Sequence, residues 1–427
     1  MKKYILPILL SVAHFSNAQN PAPAKPQSES ILIMNATAHL GNGKVIQHAA
    51  IGFDKGKLTV VADAATFHDQ SSYKKVIDAT GKHVYPGFIA CNSTIGLSEI
   101  DAVRSTRDFG EVGDLNANVR SAIAYNTDSK IIPTVRCNGI LLAQVAPRGG
   151  TISGQSSVME MDGWNWEDAL YKNDEGIHLN WPRMYVYKGG NAQPEDKQRE
   201  NMNKSLFSIE QLFKEAKSYS LSTPAEANLR FDAMKGLFDG SKKLYVHCDY
   251  IKEIETSVLF CKKYGIKMVL VGGTDAWRVT DLLKENNVAV ILGRIHSLPP
   301  REDDDVDLPY KLPYLLKQGG VSYAISIEGS WNIRNLPFMC GTTAAYGLTK
   351  EEALMSLTSA PAQILGIDKT AGTLEVGKDA TLFISTGDAL DMRTQNVEYA
   401  FIRGKDINLD NVQKQLYAKY KEKYGLK

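Results

Sequence analysis

Two pairs of polar residues stand two apart in otherwise apolar runs. One is His247 with Asp249 in Tyr245-Val246-His247-Cys248-Asp249. The other is Arg294 with His296 in Leu292-Gly293-Arg294-Ile295-His296. Residues two apart in an extended strand share a face. Each pair would then present an imidazole beside a charge, which suits general acid–base work. Arginines follow other apolar runs. Arg104 and Arg107 lie beyond Glu99, and Arg334 and Asn335 end Trp331-Asn332-Ile333-Arg334-Asn335. A forked guanidinium there suits a substrate carboxylate; a structural salt bridge to a neighbour such as Glu99 is the competing use. Residues 151–157 (TISGQSS) and Trp164-Asn165-Trp166 offer a polar and aromatic wall. The acidic run 302–305 lacks the one-residue spacing and glycine of a calcium loop and reads as a solvated loop.

Cysteine chemistry has weaker support. The five cysteines, Cys91, Cys137, Cys248, Cys261 and Cys340, are odd in number and contain no CxxC. They are no disulfide framework, and at most one bridge is expected. Cys248 alternates to the face opposite His247, so a nucleophile there would point away from its base.

The elements that must position these residues follow from hydrophobic periodicity. Short β-like segments open the chain at 30–34, 47–54, 57–62 and 75–78. Others close it at 374–378, 380–385 and 399–404. Neither set alone has a partner face, and the two ends could supply one for each other. Between them, buried-strand candidates at 84–89, 131–135, 184–187, 244–246, 268–271, 288–292 and 321–327 alternate with helical stretches. Those lie at 208–217, 225–238, 255–264, 275–285 and 350–365. Such alternation predicts an α/β fold with a parallel sheet, and the length suits a (β/α)8 barrel. A doubly wound open sheet is the competitor, but no GxGxxG or GxxxxGK follows the first strand. Residues 407–427, with Val412, Leu416 and Tyr420 four apart, read as a surface helix.

Composition bounds the rest. The chain has 427 residues, 43% hydrophobic and 23% charged, with 49 Lys plus Arg against 48 Asp plus Glu. That balance gives no footprint for nucleic acid. Residues 1–18 read as a signal peptide: Lys2 and Lys3, a short apolar run, then Ser16-Asn17-Ala18. Its removal takes two lysines and no acid, turning 49 against 48 into 47 against 48. The mature chain would be periplasmic or secreted. A Pro-rich polar linker over 19–30 should be mobile. No later run is apolar enough to span a membrane.

Three stretches resemble the amidohydrolase superfamily, specifically its imidazolonepropionase-like branch. They are Val76-Ile77-Asp78-Ala79-Thr80-Gly81-Lys82-His83-Val84-Tyr85-Pro86-Gly87-Phe88-Ile89, then Leu348-Thr349-Lys350-Glu351-Glu352-Ala353-Leu354 through Thr358-Ser359-Ala360-Pro361-Ala362, and then Ala371-Gly372-Thr373-Leu374-Glu375-Val376-Gly377-Lys378-Asp379-Ala380. The resemblance implies a (β/α)8 TIM-like barrel over 84–372. It implies a small β-sandwich from both chain ends, 31–83 and 373–406. It also implies one or two divalent metals at the barrel mouth. Their ligands would be a His-x-His pair after strand one, histidines after strands five and six, and an Asp after strand eight. Here Asn92 and Thr94 take the His-x-His positions. His247 is kept, Leu270-Val271-Gly272-Gly273-Thr274 offers no histidine, and Glu328 replaces the Asp.

His247, Asp249, His296 and Glu328 could make a compensating acid–base cluster, with no metal or one weakly bound Zn, Mn or Fe. His247, Glu328 and His296 are the catalytic candidates, and His247 is also the metal-ligand candidate. Asn92, Thr94, Arg104, Arg334 and Asn335 are the substrate-binding candidates. The expected function is hydrolysis of a carbon–nitrogen bond in a small amide or cyclic amide. A catalytically inactive relative serving as a binding or partner subunit is the alternative. A small-molecule substrate is the expected ligand, and a second copy or a related amidohydrolase the expected protein partner.

Overall fold

The computed structural model describes residues 22–222 and 226–426. The expected signal peptide lies outside them, as does Ala225, where one helix is expected to begin. Among the described residues, five strands open the chain: β1 (Ile31–His39), β2 (Val45–Asp54), β3 (Lys57–Asp63), β4 (Lys75–Asp78) and β5 (His83–Pro86). Eight more form the barrel sheet: β6 (Phe88–Ser93), β7 (Ile140–Val145), β8 (Ile152–Glu160), β9 (Leu170–Asn180), β10 (Lys243–Cys248), β11 (Met268–Gly272), β12 (Ala289–Leu292) and β13 (Tyr323–Ile325). Three return to the first sheet: β14 (Leu382–Ser385), β15 (Val397–Ile402) and β16 (Lys405–Asp406).

The two chain ends share one sheet, ordered β16-β15-β14-β5-β1-β2-β3 with β4 beside β1. Both of its faces are covered. Ile31 and Ile33 enter one apolar cluster, while Leu32 and Met34 enter another with Phe67 and Tyr73. That is the two-residue period of a strand buried on both sides. The expected sandwich is therefore a single eight-stranded sheet with a cluster on each face.

The barrel strands follow chain order from β6 to β13. β8 is antiparallel to both β7 and β9, and every other pair is parallel. Seven strands thus end at one mouth, where loops of this architecture carry chemistry. No strand pairing joins β13 to β6 among the described residues. The gap is bridged by a chain segment instead: Ile89 N–H donates to the Leu357 carbonyl at 2.8 Å and Ile325 N–H to that of Ser356 at 3.4 Å. This explains why the helix expected over 350–365 is two, Lys350–Met355 and Ser359–Leu365, with the bridge between them. The second packs Ala362, Ile364 and Leu365 against Ile89, Tyr245 and Val269 inside the barrel.

Other departures have local causes. The strand expected at 84–89 is two, β5 in the end sheet and β6 in the barrel. They pivot at Gly87, where a Cβ would meet the Thr381 methyl at 2.8 Å. The run at 131–135 is the helix Ile131–Arg136, with all six residues buried. A fully buried apolar run carries no period to tell helix from strand. Residues 184–187 and 374–378 form no strand. Residues 22–30 carry no helix or strand, yet they are tied down rather than free. Ala24 N–H donates to Asp162 at 3.0 Å and Gly56 N–H to Gln27 Oε1 at 2.7 Å. All five cysteines are free. The C-terminal helix Val412–Lys423 buries none of its residues. No helix of the described residues is long and apolar enough to cross a membrane.

Candidate active site at the barrel mouth

Alternation along β10 places the central group. Leu244, Val246 and Cys248 face the outer core, while Tyr245 faces the barrel interior. His247 therefore points inward, above Tyr245 and toward the mouth. Its Nε2 lies 2.8 Å from His178 Nδ1 on β9, and His178 Nε2 lies 2.9 Å from Ser156 Oγ on β8. Ser156 Oγ is 2.6 Å from Glu175 Oε1. Gln144 Nε2 donates to the same carboxylate oxygen at 2.6 Å, and Tyr245 OH donates to the other at 2.6 Å. Glu175, Ser156, Gln144 and His178 are all buried.

Donor and acceptor accounting gives this chain a direction. With Glu175 ionised, Ser156 must donate to it and accept from His178 Nε2–H. His178 Nδ1 is then a lone pair and accepts from His247 Nε2–H. His247 Nδ1, which has no hydrogen-bond partner among the described residues, is left as an acceptor. Burial favours neutral imidazoles. It holds His178 well below the usual histidine range. His247 is pushed down to about 3, by burial first and then by the Arg148 charge. Burial likewise raises Glu175 above the ordinary carboxylate value, against the pull of its three hydrogen bonds.

His247 lines a cavity of about 320 Å3 together with Asn92, Trp181, Asp249, Tyr250 and Glu328; Arg183 and Tyr185 also border it. Asn92, next to last in β6, sits at φ +51°, a left-handed conformation that asparagine tolerates better than most residues. Its side-chain oxygen and its carbonyl both accept from Arg148, each at 2.7 Å. Asp249 accepts from the Thr274 hydroxyl at 2.8 Å. Gly272 follows at φ +99°, where a Cβ would meet Asp249 Oδ1 at 2.8 Å. No side chain fits that end of β11 without moving Asp249. Arg183 is exposed, lies over the Tyr185 ring at 5.1 Å and makes no ion pair among the described residues. A larger cleft, about 380 Å3, opens around Tyr323 at the N-terminal end of β13, away from these groups.

Of the residues singled out from sequence, the cavity gathers Asn92, His247, Asp249 and Glu328. Thr94 is buried beside it, its N–H donating to the Gly329 carbonyl at 3.1 Å, so it clamps the loop that carries Glu328. His296 does not join them. β12 ends at Leu292, so the two-apart rule does not apply to Arg294 and His296. His296 Nε2 instead meets Thr342 Oγ1 at 2.9 Å, and its ring lies 5.7 Å from that of Tyr310. Arg104 is exposed in a short 3₁₀ turn. Arg334 folds back on Trp331, donating to its carbonyl at 2.8 Å. Asn335 is exposed at the start of the helix Leu336–Thr342. None of these four lines the cavity. Sequence reading missed Gln144, Arg148, Glu175, His178 and Arg183. The only signal was the polar run TISGQSS, read as a wall rather than as the start of a buried strand.

The amidohydrolase family model matches residues 232–407, from ahead of β10 to the end of the returning sheet. Imidazolonepropionase from Legionella pneumophila (strain Corby) is 21% identical over 392 residues, covering 83% of this chain and 91% of that one. The chain is thus similar to the amidohydrolase family over that segment, and to imidazolonepropionases at low identity over most of its length. An amidohydrolase from Thermotoga maritima MSB8 superposes with a TM-score of 0.77 at 21% identity, covering 88% of this chain and 99% of that chain. An adenosine deaminase from Xanthomonas campestris with bound zinc gives 0.54 at 15% identity, covering 93% and 98%. These likenesses carry the fold.

The superfamily typically uses a divalent metal. Among the described residues, no three His, Cys, Asp or Glu side chains converge to hold one. The donors at the expected positions do not fit either. Asn92, at the first of them, is engaged by a guanidinium. Neutral amide and hydroxyl groups are poor partners for zinc.

Proposed function

We propose that this protein is an amidohydrolase that hydrolyses a carbon–nitrogen bond in a small amide or cyclic amide. His247 is its base, and a carboxylate on the substrate reaches Arg183. The observation that supports this reading is the hydrogen-bonded chain from Glu175 to His247, which ends on an open nitrogen at the cavity. Water in the cavity loses a proton to His247 Nδ1 as its oxygen attacks the amide carbon. His247 passes its Nε2 proton to His178, His178 passes one to Ser156, and Ser156 passes one to Glu175. The charge on His247 is thus never stranded in a buried site that disfavours imidazolium. Every donor now points the other way, and His247 Nδ1–H is set to protonate the departing nitrogen. Reversal restores the starting arrangement, so atoms and charge balance over the cycle. Glu328 and Asp249 face the same cavity and would orient the substrate's N–H groups. Arg183, stacked on Tyr185 and without an ion pair among the described residues, supplies a guanidinium for an anionic tail.

The test is a panel of cyclic amides and N-acyl amino acids, with and without a carboxylate. Hydrolysis of a carboxylate-bearing member that disappears in His247→Gln supports the reading. Hydrolysis that His247→Gln leaves intact would overturn it. So would no turnover anywhere on the panel, which would favour the binding-subunit alternative.

A further inference from the structure

Arg148 follows β7 at the barrel mouth and was given no role by the pattern of motifs. Its guanidinium grips Asn92 twice, Nη1 on the side-chain oxygen and Nη2 on the carbonyl, each at 2.7 Å. Its own N–H donates to the Phe109 carbonyl at 2.7 Å, which fixes the base of the side chain. A forked donor held at two points is stiff compared with a lysine. Its charge acts on two imidazoles around it. It lowers His247, after burial, and His178, after burial and the neighbouring His247; the Glu328 carboxylate in turn favours the charged guanidinium against desolvation. Asn92, His247 and Glu328 stand on β6, on β10 and just after β13. These are three of the positions at which the resemblance places metal ligands.

We infer that Arg148 is the resident cation of this barrel mouth: its guanidinium takes the electrostatic place of a metal ion, holds Asn92 and balances Glu328, and thereby keeps a divalent cation out. The physical reason is mutual repulsion in a poorly solvated site. A dication among Asn92, His247 and Glu328 would face a fixed positive charge that two hydrogen bonds prevent from swinging away. It would also have to take an Asn92 oxygen already accepting from Arg148. Arg148 does not line the cavity, so it acts through Asn92 and through its field, as a positioning residue. The closed position at Gly272 fits the same account, because a ligand side chain there would collide with Asp249.

The experiment measures metal, so it is independent of any substrate. The full chain is exposed to Zn2+ or Mn2+, dialysed and analysed for metal, and Zn2+ affinity is measured by calorimetry. The parent should retain no stoichiometric metal. Arg148→Met removes the charge with little change in length, and should bind Zn2+ at least tenfold more tightly. Arg148→Lys keeps a charge without the fork, and should stay like the parent. Near-stoichiometric Zn2+ in the parent that is lost in His247→Ala would overturn the inference. Equal Zn2+ affinity in the parent and Arg148→Met would overturn it too. Should Arg148→Met fail to fold by circular dichroism, the parent metal content and a gain of Zn2+ binding in Arg148→Lys still decide against it.

Discussion

Among the described residues two pairs of histidines touch, and they are put to different uses. His178 and His247 meet at 2.8 Å in the barrel, and His39 and His83 meet at 3.0 Å where the end sheet faces the barrel helices. In the second pair a carboxylate touches imidazole directly: Glu351 lies 2.6 Å from His39 Nδ1. The rings are then capped by Tyr85, stacked 4.4 Å from His39. Both nitrogens of His39 are used, and the cluster faces no cavity of the mouth. In the first pair the carboxylate stands one hydroxyl away, and the last nitrogen is open. A carboxylate in contact with imidazole holds two layers together. A carboxylate at the far end of a hydrogen-bonded file can set a tautomer and receive a proton.

Substitutions can break that contrast. His247→Gln should lower kcat by roughly a hundred- to ten-thousand-fold, the usual weight of a general base. His39→Gln should leave kcat nearly unchanged, and steady-state kinetics on one substrate compares them. Next is Glu175→Gln, which keeps the shape but cannot take up the proton. It should lower kcat by roughly a hundredfold or more with little change in KM, again as for loss of acid–base assistance. Glu351→Gln at the other pair should do neither.

Much of the fold was legible. The resemblance at 76–89, 348–362 and 371–380 framed the barrel, and the inward face of β10 followed from simple alternation. The heart of the site was not legible, and β8 shows why. Its nine residues, ISGQSSVME, are all buried, yet their polarity reads as loop. Polar side chains can fill a barrel only because they satisfy one another, as Ser156 does with Glu175 and His178. That partnering joins residues far apart in the chain and leaves no local period. His296 failed for the opposite reason. Its spacing from Arg294 was right, but the strand stops at Leu292, before either residue.

Smaller effects sharpen the same comparison. Tyr245→Phe leaves one oxygen of buried Glu175 without its donor. It should cost about 1–3 kcal/mol in denaturant unfolding, with a milder fall in kcat than Glu175→Gln. Acid should also act on the barrel pair. His247 in the folded state sits at about 3, below its ordinary 6.5, so the unfolded chain binds the extra proton between these values. Stability from this group is full above about pH 6.5 and is lost as pH falls toward about 3. His178 acts in the same direction, while the raised value of Glu175 offsets part of it. The fall in Tm from about pH 7 to about pH 5 should therefore be smaller in His247→Gln than in the parent, by a few degrees at most.

The most direct test is the tautomer of His247, read from long-range 1H–15N correlations of 15N-histidine-labelled protein at neutral pH and assigned with His247→Gln. A neutral ring protonated on Nε2, with a bare Nδ1 facing the cavity, is the result the relay predicts. A ring protonated on Nδ1, or an imidazolium, would contradict it.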